Sequence, residues 1–234
     1  MSTPIEPREC LYCNAQFQPR DYYQRDCVPC ETQLKADEER RQLEKKLAYI
    51  RERIAAQTPH RFVLTDTTHP QFAANAWARI QTWQPTAEKP WLGMVGPTGT
   101  CKTRMAHLKA KEWLLWKTTA NRIPTFKIVS SFEISEQAMN QFNETGSDKG
   151  AARAFLNLIR NCDLLVLDDL GKGRLTPVPA AELFALLDYR YKHDLVTIWT
   201  SNSQPEDIAA NISEDMGAPF AGRLNDASKI FLMK

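Results

Sequence analysis

The chain has no apolar run approaching the roughly 18 residues of a membrane-spanning helix, which excludes a helical membrane protein. Its first residues, Met1-Ser2-Thr3-Pro4-Ile5-Glu6, lack the hydrophobic stretch of a secretory leader, so a cytoplasmic location is expected. A dominant charge is missing too. Lys and Arg number 30 against 28 Asp and Glu, so any nucleic-acid contact has to come from a local patch. No internal repeat or low-complexity tract is present. Histidine is sparse, and neither His107 nor His193 has a metal-spaced partner, so both are expected to be ordinary helix residues. What remains is 234 residues, 43% of them hydrophobic, enough for one α/β core and a small appendage.

Cysteine is also scarce, but four of the six are grouped as Cys10-Leu11-Tyr12-Cys13 and Cys27-Val28-Pro29-Cys30. Two such pairs, with 13 residues between them, bring four thiolates into tetrahedral reach of one zinc ion. Two disulfides are the competing pairing, disfavoured in a reducing cytosol. Four Cys ligands leave no open coordination position, so the zinc would be structural. Phe17, Tyr22 and Tyr23 are candidates for a miniature apolar cluster. So short a module buries little, and metal binding would supply most of its folding free energy. Arg8, Arg20 and Arg25 could touch phosphates or simply face solvent. The sixth cysteine, Cys162, precedes an apolar run and is expected in the core.

Residues 31 to 57 contain no Gly or Pro and are dense in Glu, Lys, Arg and Leu, a charged helix candidate. Leu43, Leu47, Ile50 and Ile54 form a narrow seam that could pair with another helix or pack on the next domain. Asp37 and Arg41 are placed for an i,i+4 ion pair. The expected organisation is a four-cysteine zinc module over 1–30, a charged helical linker over 31–58 and an α/β domain over 59–234. A helix is expected from about Pro70 to Trp83, with Phe72, Ala76, Trp77 and Ile80 on one face.

From Trp91 onward, apolar runs alternate with helical stretches. Strands are expected at Leu92–Gly96, Thr125–Val129, Leu164–Asp168, Val196–Thr200 and Lys229–Met233. The helices between them centre on Thr103–Lys117, Ser131–Phe142, Ala151–Asn161, Ala180–Tyr191 and Pro205–Asn211. Such alternation implies βαβ units and a parallel sheet. At the end of the first strand stands Gly96-Pro97-Thr98-Gly99-Thr100-Cys101-Lys102-Thr103, one residue away from a phosphate-binding P-loop. A strand, a Gly-containing turn and a helix N-terminus aim several backbone N–H groups at one anion. Lys102 would reach the β- and γ-phosphates of ATP, and the Thr103 hydroxyl would help hold Mg²⁺. An incidental turn rich in Gly and Thr is the plainer alternative. Cys101 stands where the pattern has its second glycine, so a Cβ enters a position that usually admits close approach of backbone and phosphate.

Leu164-Leu165-Val166-Leu167-Asp168-Asp169-Leu170-Gly171 has the apolar run of a central parallel strand and two carboxylates at its C-terminal end. Alone, this is a common strand ending. Combined with the loop at 96–103, it makes Asp168 the Mg²⁺ partner and Asp169 the general base for an attacking water.

Residues 91 to 234 resemble the AAA+ ATPases of the DnaC/DnaI helicase-loader and IstB group. The matching pieces are the P-loop 96–103, Leu167-Asp168-Asp169-Leu170-Gly171, Thr200-Ser201-Asn202 and Ala221-Gly222-Arg223-Leu224. The resemblance implies a P-loop (AAA+/RecA-like) five-stranded parallel sheet without a C-terminal helical lid. It implies that Asn202 is a sensor for the γ-phosphate or lytic water. Arg223 would be an arginine finger reaching a neighbouring subunit's nucleotide, so self-association is expected. The zinc module favours the DnaI-type loaders, hence ATPase action at replication initiation on a replicative DNA helicase and single-stranded DNA. Lys127, Lys149, Arg153 and Arg160 lie in the region that faces DNA in those loaders. An IstB-like ATPase assisting a transposase, and a nucleotide-independent zinc adaptor with a decayed P-loop, remain as alternatives.

Overall fold

The computed structural model describes residues 5–63, 72, 74–142, 146–212 and 214–233. The chain divides into two compact units, Met1–Tyr49 with Thr118–Arg122, and Ile50–Lys117 with Ile123–Lys234.

In the first unit, β1 (Arg8–Glu9) pairs antiparallel with β2 (Gln16–Phe17), ahead of helix α1 (Val28–Gln57). The expected aromatic cluster does not form. Tyr22 is 61% and Tyr23 90% exposed. Its place is taken by the buried Gln24, which accepts from Arg20 N at 2.7 Å and donates to Asp26 O at 3.1 Å. Loop backbone groups need partners more than they need apolar cover, and one amide side chain serves two of them. Along α1 the ion pairs are i,i+3 rather than the expected Asp37–Arg41. Asp37 meets Arg40 at 2.8 Å and Glu38 meets Arg41 at 3.0 Å, exposed pairs that water screens and that contribute little to stability.

The second unit begins within α1, whose Ile50 and Ile54 are buried in its core. There follow α2 (His60–Val63), α3 (Ala74–Gln81), β3 (Trp91–Val95), α4 (Lys102–Lys117), β4 (Phe126–Ser130), α5 (Ser131–Asn140), α6 (Gly146–Asn161), β5 (Leu164–Asp168), α7 (Pro177–Lys192), β6 (Val196–Ser201), α8 (Pro205–Ala210), α9 (Glu214–Ala227) and β7 (Ser228–Leu232). The strands form one parallel sheet in the order β4-β5-β6-β3-β7. Each expected strand appears within one residue of its expected bounds. The helix expected from Pro70 is described over Ala74–Gln81, and Pro70 itself lies outside the described residues.

Both faces of the sheet are covered, as the unbroken apolar runs require. Trp91, Val95, Leu165, Leu167 and Trp199 enter one core with residues of α6, α7 and α9. Leu92, Met94, Leu164, Val166 and Ile198 enter the other with α3, α4 and the end of α1. The period-2 alternation of strand side chains thus builds two cores from the same strands. Trp116 on α4 is not part of either and is 61% exposed.

Sequence reasoning gave no warning of α9 or of Arg190. Arg190, on α7, is fully buried with no carboxylate partner among its hydrogen bonds. Its Nη1 donates to Ile159 O and Cys162 O at 2.9 Å each, its Nη2 to Val196 O at 2.6 Å, and its Nε to Thr197 Oγ1 at 3.0 Å. The guanidinium caps the carbonyl end of α6 and ties it to the start of β6, where helix carbonyls would otherwise stand unpaired. Arg190→Met should therefore lower the unfolding free energy by about 3 kcal/mol, since several buried carbonyls lose a charged donor. Arg190→Lys should not restore it, because an ammonium lacks the flat fork. Denaturant unfolding checks this, and a loss below about 1 kcal/mol would count against it.

Candidate functional site

The site lies at the carboxyl ends of three adjacent strands. β6 runs between β3 and β5, with Met94 opposite Thr200 and Leu167 opposite Trp199. That order brings the loop after β3, the loop after β5 and the end of β6 to one edge, where open parallel sheets bind ligands.

Residues Gly96, Pro97, Thr98, Gly99, Thr100, Cys101, Lys102 and Thr103 lead from β3 into the first turn of α4. A Cβ on Gly96 would stand 2.4 Å from the carbonyl oxygen of Met233, so only glycine allows the end of β3 to lie against the chain beyond β7. Lys102 is only 6% exposed, and its Nζ donates to Gly96 O and Pro97 O, each at 2.8 Å. Burial holds its ammonium below the ordinary lysine range, partly offset by Asp169 and Asp168.

The carboxylates close the site. Thr103 Oγ1 donates to Asp168 Oδ1 at 2.9 Å, joining the start of α4 to the end of β5. Thr200 Oγ1 donates to the same oxygen at 2.5 Å and accepts from Asp169 N at 3.0 Å. Asn202 Nδ2 reaches Thr98 Oγ1 at 3.4 Å across the mouth. Thr98, Gly99, Cys101, Lys102, Thr103, Asp169 and Asn202 thus line one open cleft of about 350 Å³, together with Phe62, Arg104 and Lys172. Sequence reasoning assigned no role to Thr200 or Lys172. Thr200 was findable as the residue of β6 beside Asp168, and Lys172 as a basic residue between two glycines just after the Asp pair.

Arg223 is elsewhere. It sits on α9, its Nε donating to Asp188 Oδ1 at 2.6 Å and its Nη1 to Pro219 O at 3.0 Å, with the guanidinium over the Phe184 ring. It does not line the cleft. Of the basic residues expected near DNA, Arg160 is paired with Glu182 at 3.3 Å and Lys127 lies over the Phe155 ring, while Arg153 is exposed.

In the first unit, the thiols of Cys10, Cys13, Cys27 and Cys30 lie within 4.8 Å of one another, and none is in a disulfide. Cys13 Sγ and Cys27 Sγ are 3.7 Å apart, close to the ~3.8 Å edge of a tetrahedron with zinc–sulfur bonds of about 2.3 Å. Burial would raise the Cys10 thiol, but the backbone N–H groups of Cys13, Cys27 and Tyr12 outweigh it and bring it down to about 7. The donor set fits zinc in both number and softness.

Cys101 has φ +60°, inside the left-handed region, and the nearby Gly99 has φ +91°. The glycine of the general P-loop pattern therefore serves the backbone as well as the ligand. Cys101 retains some packing against the core, so strain and contact must be separated. Cys101→Gly removes both the strain and the sulfur, whereas Cys101→Ala removes the sulfur alone. The Gly variant should be more stable than the Ala variant by about 1 kcal/mol. Paired urea melts test this, and equal midpoints would mean that the loop is not strained at 101.

No family model and no curated protein matches this sequence. Among solved structures, one described as the DnaC helicase loader aligns with a TM-score of 0.57 at 22% identity, over 75% of this chain and 100% of that one. A DnaI structure aligns with a TM-score of 0.57 at 18% identity, over 76% and 95%. A replication initiator DnaA, bound to AMPPCP and single-stranded DNA, aligns with a TM-score of 0.51 at 16% identity, over 72% and 51%. This chain spans about half the length of that DnaA. At these identities the likeness is one of fold. The chain shares the fold of the DnaC, DnaI and DnaA structures, a five-stranded parallel sheet flanked by helices.

Proposed function

We propose that the protein is an ATP-hydrolysing AAA+ protein of the helicase-loader type, acting at initiation of DNA replication on a replicative DNA helicase and single-stranded DNA. The contact between Thr103 and Asp168 carries this reading, because it places a hydroxyl and a carboxylate side by side next to the buried Lys102. Support comes from the DnaC helicase loader and from the DnaA that holds AMPPCP and single-stranded DNA, both of the same fold.

Backbone N–H groups of the loop 96–103 would hold the phosphates, and Lys102 would exchange its two carbonyl partners for β- and γ-phosphoryl oxygens. Thr103 and Asp168 are the hard oxygen donors that suit Mg²⁺, and they are the residues that would hold it. Bound there, the ion would neutralise charge on the phosphoryl oxygens. Asp169 would accept a proton from water as its oxygen attacks the γ-phosphorus, while the bond to the β-phosphate oxygen breaks and ADP leaves with the electron pair. Asn202 would orient that water or the γ-phosphate. Arg223 would act on the nucleotide of a neighbouring copy. In the first unit, zinc on Cys10, Cys13, Cys27 and Cys30 would supply folding free energy that so small a core does not.

Elemental analysis of the purified protein should give about one zinc per chain. No zinc, with all four thiols freely titratable, would remove the metal from this reading. ATP with Mg²⁺ should bind wild type, and Lys102→Ala should abolish binding. Absence of ATP affinity at millimolar concentration would leave a nucleotide-independent zinc adaptor as the better description. Neither Arg223→Ala nor Lys102→Ala should turn over ATP alone, the arginine being worth ~10³ in rate in comparable sites. A mixture of the two should recover activity, since one interface then pairs an intact loop with an intact Arg223. No recovery would mean that Arg223 acts within its own chain or is structural.

A further inference from the structure

The turn after β5 carries a cation that the ATPase scheme above leaves without a task. Its chain is pinned at Leu170, which is buried, donates its N–H to Thr200 O at 2.8 Å and accepts from Ser201 Oγ at 2.6 Å. Gly171 follows at φ +80°, and a Cβ there would meet Ile208 Cγ1 at 2.6 Å, so the backbone lies directly against α8. Gly173 also has positive φ but faces open space. Lys172 therefore projects from a turn that is fixed on one side and unobstructed on the other.

The Lys172 side chain is 73% exposed, and its Nζ lies 3.4 Å from Asp169 Oδ2. Lys172 lines the same cleft as Thr98, Gly99, Lys102 and Asn202. An ion pair this exposed holds its partners weakly, because water screens it and both side chains give up rotamer freedom to keep it. A phosphate group carrying nearly two negative charges and three acceptor oxygens is a stronger partner for an ammonium than one half-exposed carboxylate. The other two cations of the cleft are less free to move: Lys102 is buried on two carbonyls, and the guanidinium of Arg104 lies over the Phe62 ring.

We propose that Lys172 is a catalytic residue of this site, a γ-phosphate-sensing cation that transfers from Asp169 to the terminal phosphoryl oxygens when ATP binds. This rests on the ATPase reading and assigns it a new part. The transfer neutralises charge on the γ-phosphoryl group. It also releases the Asp169 carboxylate from its ion pair, so that it is free to accept the proton of the attacking water. ADP has no γ-phosphate and leaves Lys172 on Asp169. One residue would then couple recognition of the triphosphate to arming of the base.

The test compares binding of AMPPCP and ADP, each with Mg²⁺, to wild type, Lys172→Ala and Lys172→Arg, alongside single-turnover hydrolysis of ATP. In Lys172→Ala, AMPPCP affinity should fall about tenfold or more, the weight of a charge-assisted contact, while ADP affinity stays within about twofold. The single-turnover rate should fall in the same variant, and Lys172→Arg should keep the preference for AMPPCP. The exposure of Lys172 makes misfolding of these variants unexpected, and a thermal melt verifies it. Equal losses for both nucleotides would mean a general electrostatic effect and overturn the proposal. Unchanged or tighter AMPPCP binding would overturn it as well. A wild type that binds neither nucleotide brings down the ATPase reading itself, and that arm is read without any Lys172 variant.

Discussion

Everything at the candidate site depends on β6 lying between β3 and β5. That strand order makes the Asp168 carboxylate the meeting point of two elements distant in sequence, taking Thr103 from the start of α4 and Thr200 from β6. The Thr200 hydroxyl donates to Asp168 and receives the N–H of Asp169, so one buried side chain holds the Asp168 carboxylate and the Asp169 backbone together. The N–H of Leu170 on Thr200 O extends the tie into the turn beyond. Asp169 itself sits at φ +54°, a backbone state that non-glycine residues hold only where their surroundings impose it. Asp169 is held on both sides, its N–H donating to Thr200 Oγ1 and its carbonyl accepting from Ser131 Oγ. A parallel sheet is needed for this, since only parallel strands place the ends of β3, β5 and β6 on the same edge.

Charge in the cleft is balanced locally. Lys102 is taken out of water, with burial holding its ammonium below the ordinary range, and it is stabilised by two carbonyl dipoles and the nearby carboxylates. Those carbonyls belong to the loop it would use to grip phosphate. Exchanging them for phosphoryl oxygens replaces dipoles with full charges, a gain that is largest where water is excluded. Cys101 acts in the opposite direction. Its left-handed backbone is adopted at a conformational cost that glycine would not incur.

The sheet and its site were largely legible in the sequence because they rest on composition. Leu164 to Leu167 is apolar without interruption since both faces of β5 are covered, and the loop 96–103 stands out because its glycines mark the turn between β3 and α4. What escaped depends on side-chain direction or on partners remote in sequence. Helix α9 was hidden by Gly217, Pro219 and Gly222, although Phe220 and Leu224, four residues apart, anchor it in the core. Arg190 looks like any helix arginine until α6 ends beside it. Asp37 chose Arg40 over Arg41 because both spacings are allowed on a helix and their energies hardly differ. Tyr22 and Tyr23 face outward in a four-cysteine module ordered around backbone hydrogen bonds and thiols.

The contact that holds Arg223 in its own chain bears on whether a neighbouring nucleotide could use it. A guanidinium has five N–H donors, and Arg223 commits Nε and one Nη2 donor to Asp188 and one Nη1 donor to Pro219 O. Among the described residues no hydrogen-bond partner takes the remaining two donors, one on each terminal nitrogen. The finger role proposed for Arg223 therefore does not require the ion pair to break. Asp188 also takes Lys192 at 2.7 Å, and the hydrogen bonds from Lys192 and Arg223 hold its carboxyl below the usual carboxylate range despite partial burial. Its carboxylate therefore persists to lower pH than an unpaired one would. With the Phe184 ring beneath its plane, the guanidinium is fixed in orientation before any partner arrives. Preset orientation matters for such a residue because its contribution falls in the transition state, when no time is left to search rotamers.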